Sequence, residues 1–269
     1  PRRDTRRKGA KLAPEMALHV LPSVPERWDD WRYQAQNAIT TLEGLEAALV
    51  LTEGEREGAR RAIADGLPIS ITPYYLGLAD RDDPRCPIRM QCVPQGREGI
   101  EVPGDMRDPL GEEAHEVAPN LVQRYPDRVL LLATDRCAVY CRFCTRSRMV
   151  GDGGGARSME ALEPAFRYIE THPRIQDVII SGGDPLVMST TRITAMLSRL
   201  ATIDHVLTVR VATRTPVTLP QRITDELVSA MKQAHPAIWV MTHFNHPKEL
   251  TDTSRACLLY TSDAADERS

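Results

Sequence analysis

From Trp28 to about Gly66, apolar residues return at intervals of three and four. That is the period of a helix with one buried stripe. WDDWRYQAQNAI, LEGLEAALVL and LTEGEREGARRAI all carry it, and ITPYYLGL follows as a short apolar segment around Pro73. Residues 79–120 are rich in Pro, Gly, Asp and Arg and keep no period. They predict a long connector wrapped over the surface, its length pointing to function rather than packing.

At Arg128 the pattern changes. VLLLAT is a short, wholly apolar run, as expected of a strand buried on both faces. SMEALEPAFRYIETHP then predicts a helix with Leu162, Ala165, Phe166 and Ile169 on one stripe. DVIISGGDP, TVRVATRTP and AIWVMTHFN predict three further strands, separated by helices over TTRITAMLSRLATI and DELVSAMKQA. Alternation at this spacing implies right-handed βαβ units around a parallel sheet. The fold class expected is therefore α/β, a partial parallel (β/α) barrel with an N-terminal helical extension. The polar clusters, namely the cysteines, GGDP, RTP and THFNHP, each fall just after a strand. In parallel barrels that rim carries the active site. The expected organisation is a disordered basic tail over 1–20, a helical region and connector over 21–120, the partial barrel over 121–257 and a separate tail over 258–269.

Composition narrows this only modestly. The 269 residues are 42% hydrophobic with a formal net charge of -3, which gives no case for a nucleic-acid partner. No apolar run approaches the roughly 18 residues of a membrane span. The basic start, PRRDTRRKGAKLAPEM, lacks the apolar stretch of a secretory signal, so a cytoplasmic, reducing location is expected. The chain opens on Pro1 rather than methionine, a hint of an incomplete natural product. Lysine occurs only at positions 8, 11, 232 and 248.

Of the six cysteines, Cys86 and Cys92 lie in the Pro- and Arg-rich connector and read as incidental thiols. Cys257 stands alone. Cys137, Cys141 and Cys144 form C-x3-C-x2-C within DRCAVYCRFCTRSR. A cubane [4Fe–4S] cluster takes one thiolate per iron, so three ligands leave one iron open to bind and react. Arg142, Arg146 and Arg148 would add positive charge that favours thiolates. A zinc site is the competing reading, although zinc usually takes a C-x2-4-C pair plus a second pair elsewhere. Gly182 and Gly183, followed by Asp184 and Pro185, close a strand where backbone N–H and C=O groups could approach a small zwitterion.

The same residues carry a resemblance. CxxxCxxC is the signature of the radical S-adenosylmethionine (SAM) superfamily. RYPDRVLLLATDRCAVYCRFCTRSR, SGGDPL, RTPVTLPQRIT and THFNHPKELT further resemble the lysine 2,3-aminomutase family, as do DWRYQAQNAI and ITPYYLGL. The likeness covers roughly Trp28 to Cys257. It implies a cluster held by the three cysteines, SAM chelated on the open iron, and a 5′-deoxyadenosyl radical made by one-electron cleavage. That radical would take a β-hydrogen from an amino acid carried on pyridoxal 5′-phosphate (PLP), and the amino group would move from C2 to C3. The protein would position these cofactors and exclude water.

By the same resemblance, Gly182, Gly183 and Asp184 would line the SAM site, and Phe143 would pack near its adenine. Arg146 would bind the substrate carboxylate, while Tyr125 and Arg128 would contact the PLP phosphate. His243, Asn245 and His246 would line the pocket in roles left unassigned. An electron donor such as flavodoxin or ferredoxin and a homo-oligomeric assembly are also implied.

The likeness stops after TSRAC, and LLYTSDAADERS shows neither helix nor strand pattern. No lysine matches the family's Schiff-base position, and Lys232 and Lys248 read as surface residues. The chain as written is therefore expected to be poorly stable and not a competent aminomutase. Three alternatives stay open: a glutamate 2,3-aminomutase, an aminomutase acting on a translation-factor lysine, and a non-catalytic iron–sulfur or zinc protein.

Overall fold

Three apolar stripes and four apolar strands account for most of the barrel half. A computed structural model describes residues 25–266 apart from 65, 66, 101 and 152. The basic stretch 1–20 lies outside the described residues. Five helices come first: α1 (Trp31–Gln36), α2 (Leu42–Ala48), α3 (Glu53–Ala64), α4 (Pro73–Leu76) and α5 (Arg89–Cys92). A six-stranded sheet follows, comprising β1 (Glu116–Ala118), β2 (Leu121–Tyr125), β3 (Arg128–Thr134), β4 (Asp177–Gly182), β5 (Thr208–Ala212) and β6 (Ile238–Met241). Its helices are α6 (Met159–Thr171), α7 (Thr190–Ala201), the short α8 (Thr215–Thr218), α9 (Asp225–Ala234) and α10 (Asp252–Asp266).

Strand order is sequential; β3 to β6 are parallel, and β1 and β2 add to the β3 edge antiparallel. This is the arrangement of a partial β/α barrel. The β2–β3 turn pairs Tyr125 with Arg128 across Pro126 and Asp127, residue types suited to tight turns. Helix starts follow local chemistry: the hydroxyls of Ser158, Ser189 and Thr224 accept from backbone amides of α6, α7 and α9, offsetting donors that have no intrahelical partner.

One core lies between the sheet and these helices. Val129, Leu131 and Ala133 of β3, Val178 and Ile180 of β4 and Val209 and Val211 of β5 meet Leu162, Phe166, Ile169, Ile193 and Leu227. The alternate residues face the other way. Arg128, Leu130, Leu132, Ile179 and Arg210 on that open face are only half-buried, and Trp239 and Met241 are exposed.

A second core belongs to the N-terminal region. Trp28, Leu45, Leu49, Ala59, Ile71, Tyr74 and Tyr75 pack together with Val139, which follows β3, and Val217, which follows β5, while Phe244 after β6 packs against them. The helical region thus sits over the rim from which the sequence motifs emerge.

Two expectations need correction. The connector does not simply wrap the surface. Its first part contains α5 and buries Cys86, Ile88, Arg89, Cys92 and Val93, and its last part supplies β1. Apolar period misses the first part because a charge anchors it: Arg89 forks onto Glu55 with both side chains fully buried. The tail expected to lack structure extends a helix as far as Asp266. That helix starts at Asp252, where the Thr251 hydroxyl accepts from Ser254 N, and its last residues include the good helix former Ala.

Candidate active site on the sheet rim

The three cysteines occupy the loop that leaves β3, half-buried and free of disulfides. The loop is fixed from both sides. Tyr140 N donates to Ser70 O at 3.0 Å and Arg142 N to Gln91 O at 2.8 Å, tying it to the N-terminal region. On the barrel side, Gly183 N donates to Thr134 O at 2.6 Å and Asp184 N to Arg136 O at 2.7 Å. Among the described residues no three Cys, His, Asp or Glu side chains converge on a point that would hold a single ion. A cubane, with one thiolate per iron, does not demand that convergence.

Burial raises the thiol pKa of Cys137, Cys141 and Cys144. Arg142, Arg146 and Arg148 do not reverse this, since each is tied to carboxylates: Arg142 to Glu98, Arg146 to Glu112, and Arg148 to Asp108, Glu112 and Glu113. The guanidinium that reaches a sulfur of the loop is instead Arg214, whose NH1 lies 2.7 Å from Cys141 Sγ. Its Nε is buried with no partner among the described residues. An unused buried N–H costs free energy unless something polar meets it. Three thiols, a guanidinium against one of them and an unmatched donor beside them fit an anionic iron–sulfur group on this loop.

The GGD segment is placed as expected, but its backbone N–H groups are not open to a zwitterion. The amides of Gly183 and Asp184 hold the cysteine loop, as above. Gly182 has φ +108°, and a Cβ there would collide with Thr134 O; at Gly183 it would collide with Arg136 O. Close backbone approach, rather than ligand contact alone, explains both glycines. Gly182→Ala is expected to destabilise the chain by about 2 kcal/mol or more, measured by denaturant unfolding. Unchanged stability would show that the strand end is not under this constraint. The Asp184 carboxylate is buried and accepts from Thr213 Oγ1 at 2.5 Å, Arg214 N at 2.8 Å and Leu186 N at 3.1 Å. It fastens the end of β4 to the end of β5.

Arg146 stands at the site with one edge occupied. Its Nε and NH2 fork onto Glu112, and its NH1 reaches Ser181 Oγ at 3.3 Å. Phe143, within the loop just before Cys144, is exposed and lies 6.4 Å centroid to centroid from His243 in an edge-on pair. Arg214 lies 5.4 Å from the Phe143 ring centroid. Burial and the Arg214 charge hold the His243 imidazole below its ordinary pKa. Asn245 donates to Gln91 Oε1 at 2.8 Å, and His246 Nδ1 accepts from Lys248 N in the following turn.

Tyr125 and Arg128 are not brought to this rim. They lie at the opposite end of β3, about 20 Å away at roughly 3.3 Å per residue. There Arg128 and Arg210 both bind Asp177, Arg128 Nε at 2.6 Å and Arg210 NH2 at 2.9 Å. Lys232 and Lys248 are exposed. Cys86 and Cys92 belong to the second core, not to the loop that leaves β3.

Sequence reasoning missed Gln91, Glu112, Arg214 and Glu249. Two left a local trace: Arg214 sits in RTP, one of the clusters on the rim, and Glu249 stands three residues after His246 with Pro247 between, a capping-box spacing that the structure realises.

Comparison with known proteins agrees with this geometry. Residues 131–259 match the Radical SAM superfamily, a span that takes in the cysteine loop and β4 to β6. The chain is 46% identical to L-lysine 2,3-aminomutase of Clostridium subterminale over 233 residues, covering 86% of this chain and 56% of that protein. It is 38% identical to glutamate 2,3-aminomutase of Clostridioides difficile, covering 89% and 56%. It is 30% identical to L-lysine 2,3-aminomutase of Escherichia coli, covering 90% and 70%. The chain thus spans little more than half the length of the first two relatives. With the cysteine spacing, the strand order behind it and these matches pointing one way, the chain belongs to the lysine 2,3-aminomutase family of radical SAM proteins.

Proposed function

We propose that this chain carries the radical-generating site of an aminomutase that moves an amino group from C2 to C3 of an amino acid, with L-lysine as substrate. The observation that carries the reading is the three-cysteine loop leaving β3, with Arg214 on one of its sulfurs. Cys137, Cys141 and Cys144 hold the [4Fe–4S] cluster. When bound, cluster and SAM together supply one-electron cleavage to methionine and a 5′-deoxyadenosyl radical.

The remaining residues bind, orient and shield. Gly182, Gly183 and Asp184 set the floor of the SAM site, and Phe143 covers the adenine. The edge of Arg146 that Glu112 leaves open takes the substrate carboxylate, for which a planar guanidinium is suited. The N-terminal core over the rim excludes water.

Tyr125 and Arg128 are the proposed contacts of the PLP phosphate. In support, Arg128 and Arg210 both reach the carboxylate of Asp177, which sets two guanidiniums side by side on the open sheet face. Among the described residues, however, neither lysine is buried at the site or on that face. The residues described do not provide PLP with an amine anchor.

A location in the cytoplasm, electrons from a flavodoxin or ferredoxin and a homo-oligomeric assembly complete the proposal. No described helix is long and apolar enough to cross a membrane. Glutamate is the second substrate to test, because a glutamate 2,3-aminomutase is among the relatives.

Anaerobic reconstitution of the 269-residue chain with iron and sulfide tests the site. About four irons per chain, broad visible absorbance and 5′-deoxyadenosine released from SAM on reduction are expected. Stoichiometric zinc without that absorbance would overturn the reading in favour of a structural metal site.

A further inference from the structure

Arg214 is held by more of the molecule than any ligand cysteine. Its NH2 bonds Glu249 Oε1 at 2.7 Å, Gln91 Oε1 at 2.9 Å and the Tyr75 hydroxyl at 3.2 Å, while NH1 reaches Cys141 Sγ. Its backbone N donates to Asp184, and its carbonyl accepts from Thr218 Oγ1. Arg214 is 8% exposed and Glu249 fully buried. Glu249 is itself fixed: Asn245 N and His246 N donate to its Oε2, and the Tyr75 hydroxyl donates to Oε1. A guanidinium oriented this firmly meets the sulfur at a set distance and angle.

We infer that Arg214 is a positioning residue for radical generation, which fixes the Cys141 sulfur and raises the reduction potential of the cluster, with Glu249 opposing it. The inference rests on the reading of the loop as a cluster site. Reduction adds one negative charge to a cluster that is already anionic. A nearby cation and a hydrogen bond to a ligand sulfur both favour the reduced form, and net charge and sulfur hydrogen bonds are among the factors that set such potentials. Burial strengthens the effect, because water screens less of it. Glu249, on the far side of the same guanidinium, offsets part of the charge. Gln91 and Tyr75 come from the N-terminal region, so that region takes part in setting the potential.

The test is redox titration of the reconstituted full chain, followed by the electron paramagnetic resonance of the reduced cluster. R214Q is expected to keep its iron and to titrate at least 59 mV more negative, a tenfold change in the reduced-to-oxidised ratio for one electron. R214K, which keeps the charge without the fork, is expected between the two. E249Q is expected to move the midpoint the other way. An R214Q chain that loads iron and titrates with the wild type overturns the inference while leaving the cluster site intact. A wild-type chain that takes up no iron removes the cluster reading and this inference together. Should R214Q fail to fold, E249Q decides: a positive shift supports the inference, and an unchanged midpoint overturns it.

Discussion

Alanine at any one of Cys137, Cys141 or Cys144 is expected to lower 5′-deoxyadenosine release to the uncatalysed background while leaving the fold in place. All three lie in a loop, are half-buried, and belong to neither hydrophobic core. Truncating them therefore removes little packing. Iron content should fall along with activity, because a cubane with only two protein ligands is poorly held. Circular dichroism and denaturant unfolding of the iron-free chains should match the wild type. Retained release of 5′-deoxyadenosine by the Cys141→Ala chain would show that the cluster is not on this loop.

The second large effect concerns stability. Arg89→Met is expected to destabilise the chain by about 3–5 kcal/mol, the usual result of leaving a buried charge without its partner. Arg89 and Glu55 are both fully buried. Besides the fork onto Glu55, Arg89 donates to Arg81 O at 2.7 Å and Val50 O at 2.6 Å. Replacing Arg89 and Glu55 together by apolar residues should recover much of the loss, because no uncompensated charge is then left inside.

The same pair gives a pH dependence. Burial by itself raises the Glu55 carboxyl, but Arg89 and the Thr52 amide and hydroxyl outweigh it, leaving a net lowered pKa. A carboxyl lowered in the folded state stabilises above its unfolded pKa, and that stability is lost as pH falls through the folded value. Acid unfolding should therefore draw on this pair only below the ordinary carboxylate range of about 4. In E55Q that part of the acid dependence should be missing.

Much of this molecule was legible in its sequence because its barrel half follows simple periods. Val129, Leu131 and Ala133 alternate toward the helices, and Leu162, Ala165, Phe166 and Ile169 form the stripe that meets them. The grouping of Cys137, Cys141 and Cys144 was legible because three cysteines at close spacing in one loop need no knowledge of the rest of the chain. What escaped depends on distant partners. Arg214 in RTP carries no mark of its contact with Cys141, which lies 73 residues earlier. Glu112 sits in an aperiodic segment, and its two arginines come from the cysteine loop. Arg89 is a charge in a region without period, and its burial rests on Glu55 and the carbonyls of Val50 and Arg81, none of which the local sequence marks as its partner. The strand β1 was overlooked because three residues hold too few positions to show alternation, and β2 because LVQRY buries two adjacent apolar residues and then turns polar.

The placement of the N-terminal core on the barrel rim sets the order in which the site is completed. Thr72 Oγ1 meets Thr218 O across 146 residues of chain, and Tyr75 meets Glu249 across 174. Contacts of such sequence separation carry a large loop-closure entropy and tend to form after local ones. The parallel strands and the cysteine loop can form before that closure; the fixed guanidinium cannot. On the reading proposed above, a cluster taken up by that loop reaches its final potential only after the N-terminal core has docked and brought Gln91 and Tyr75 onto Arg214.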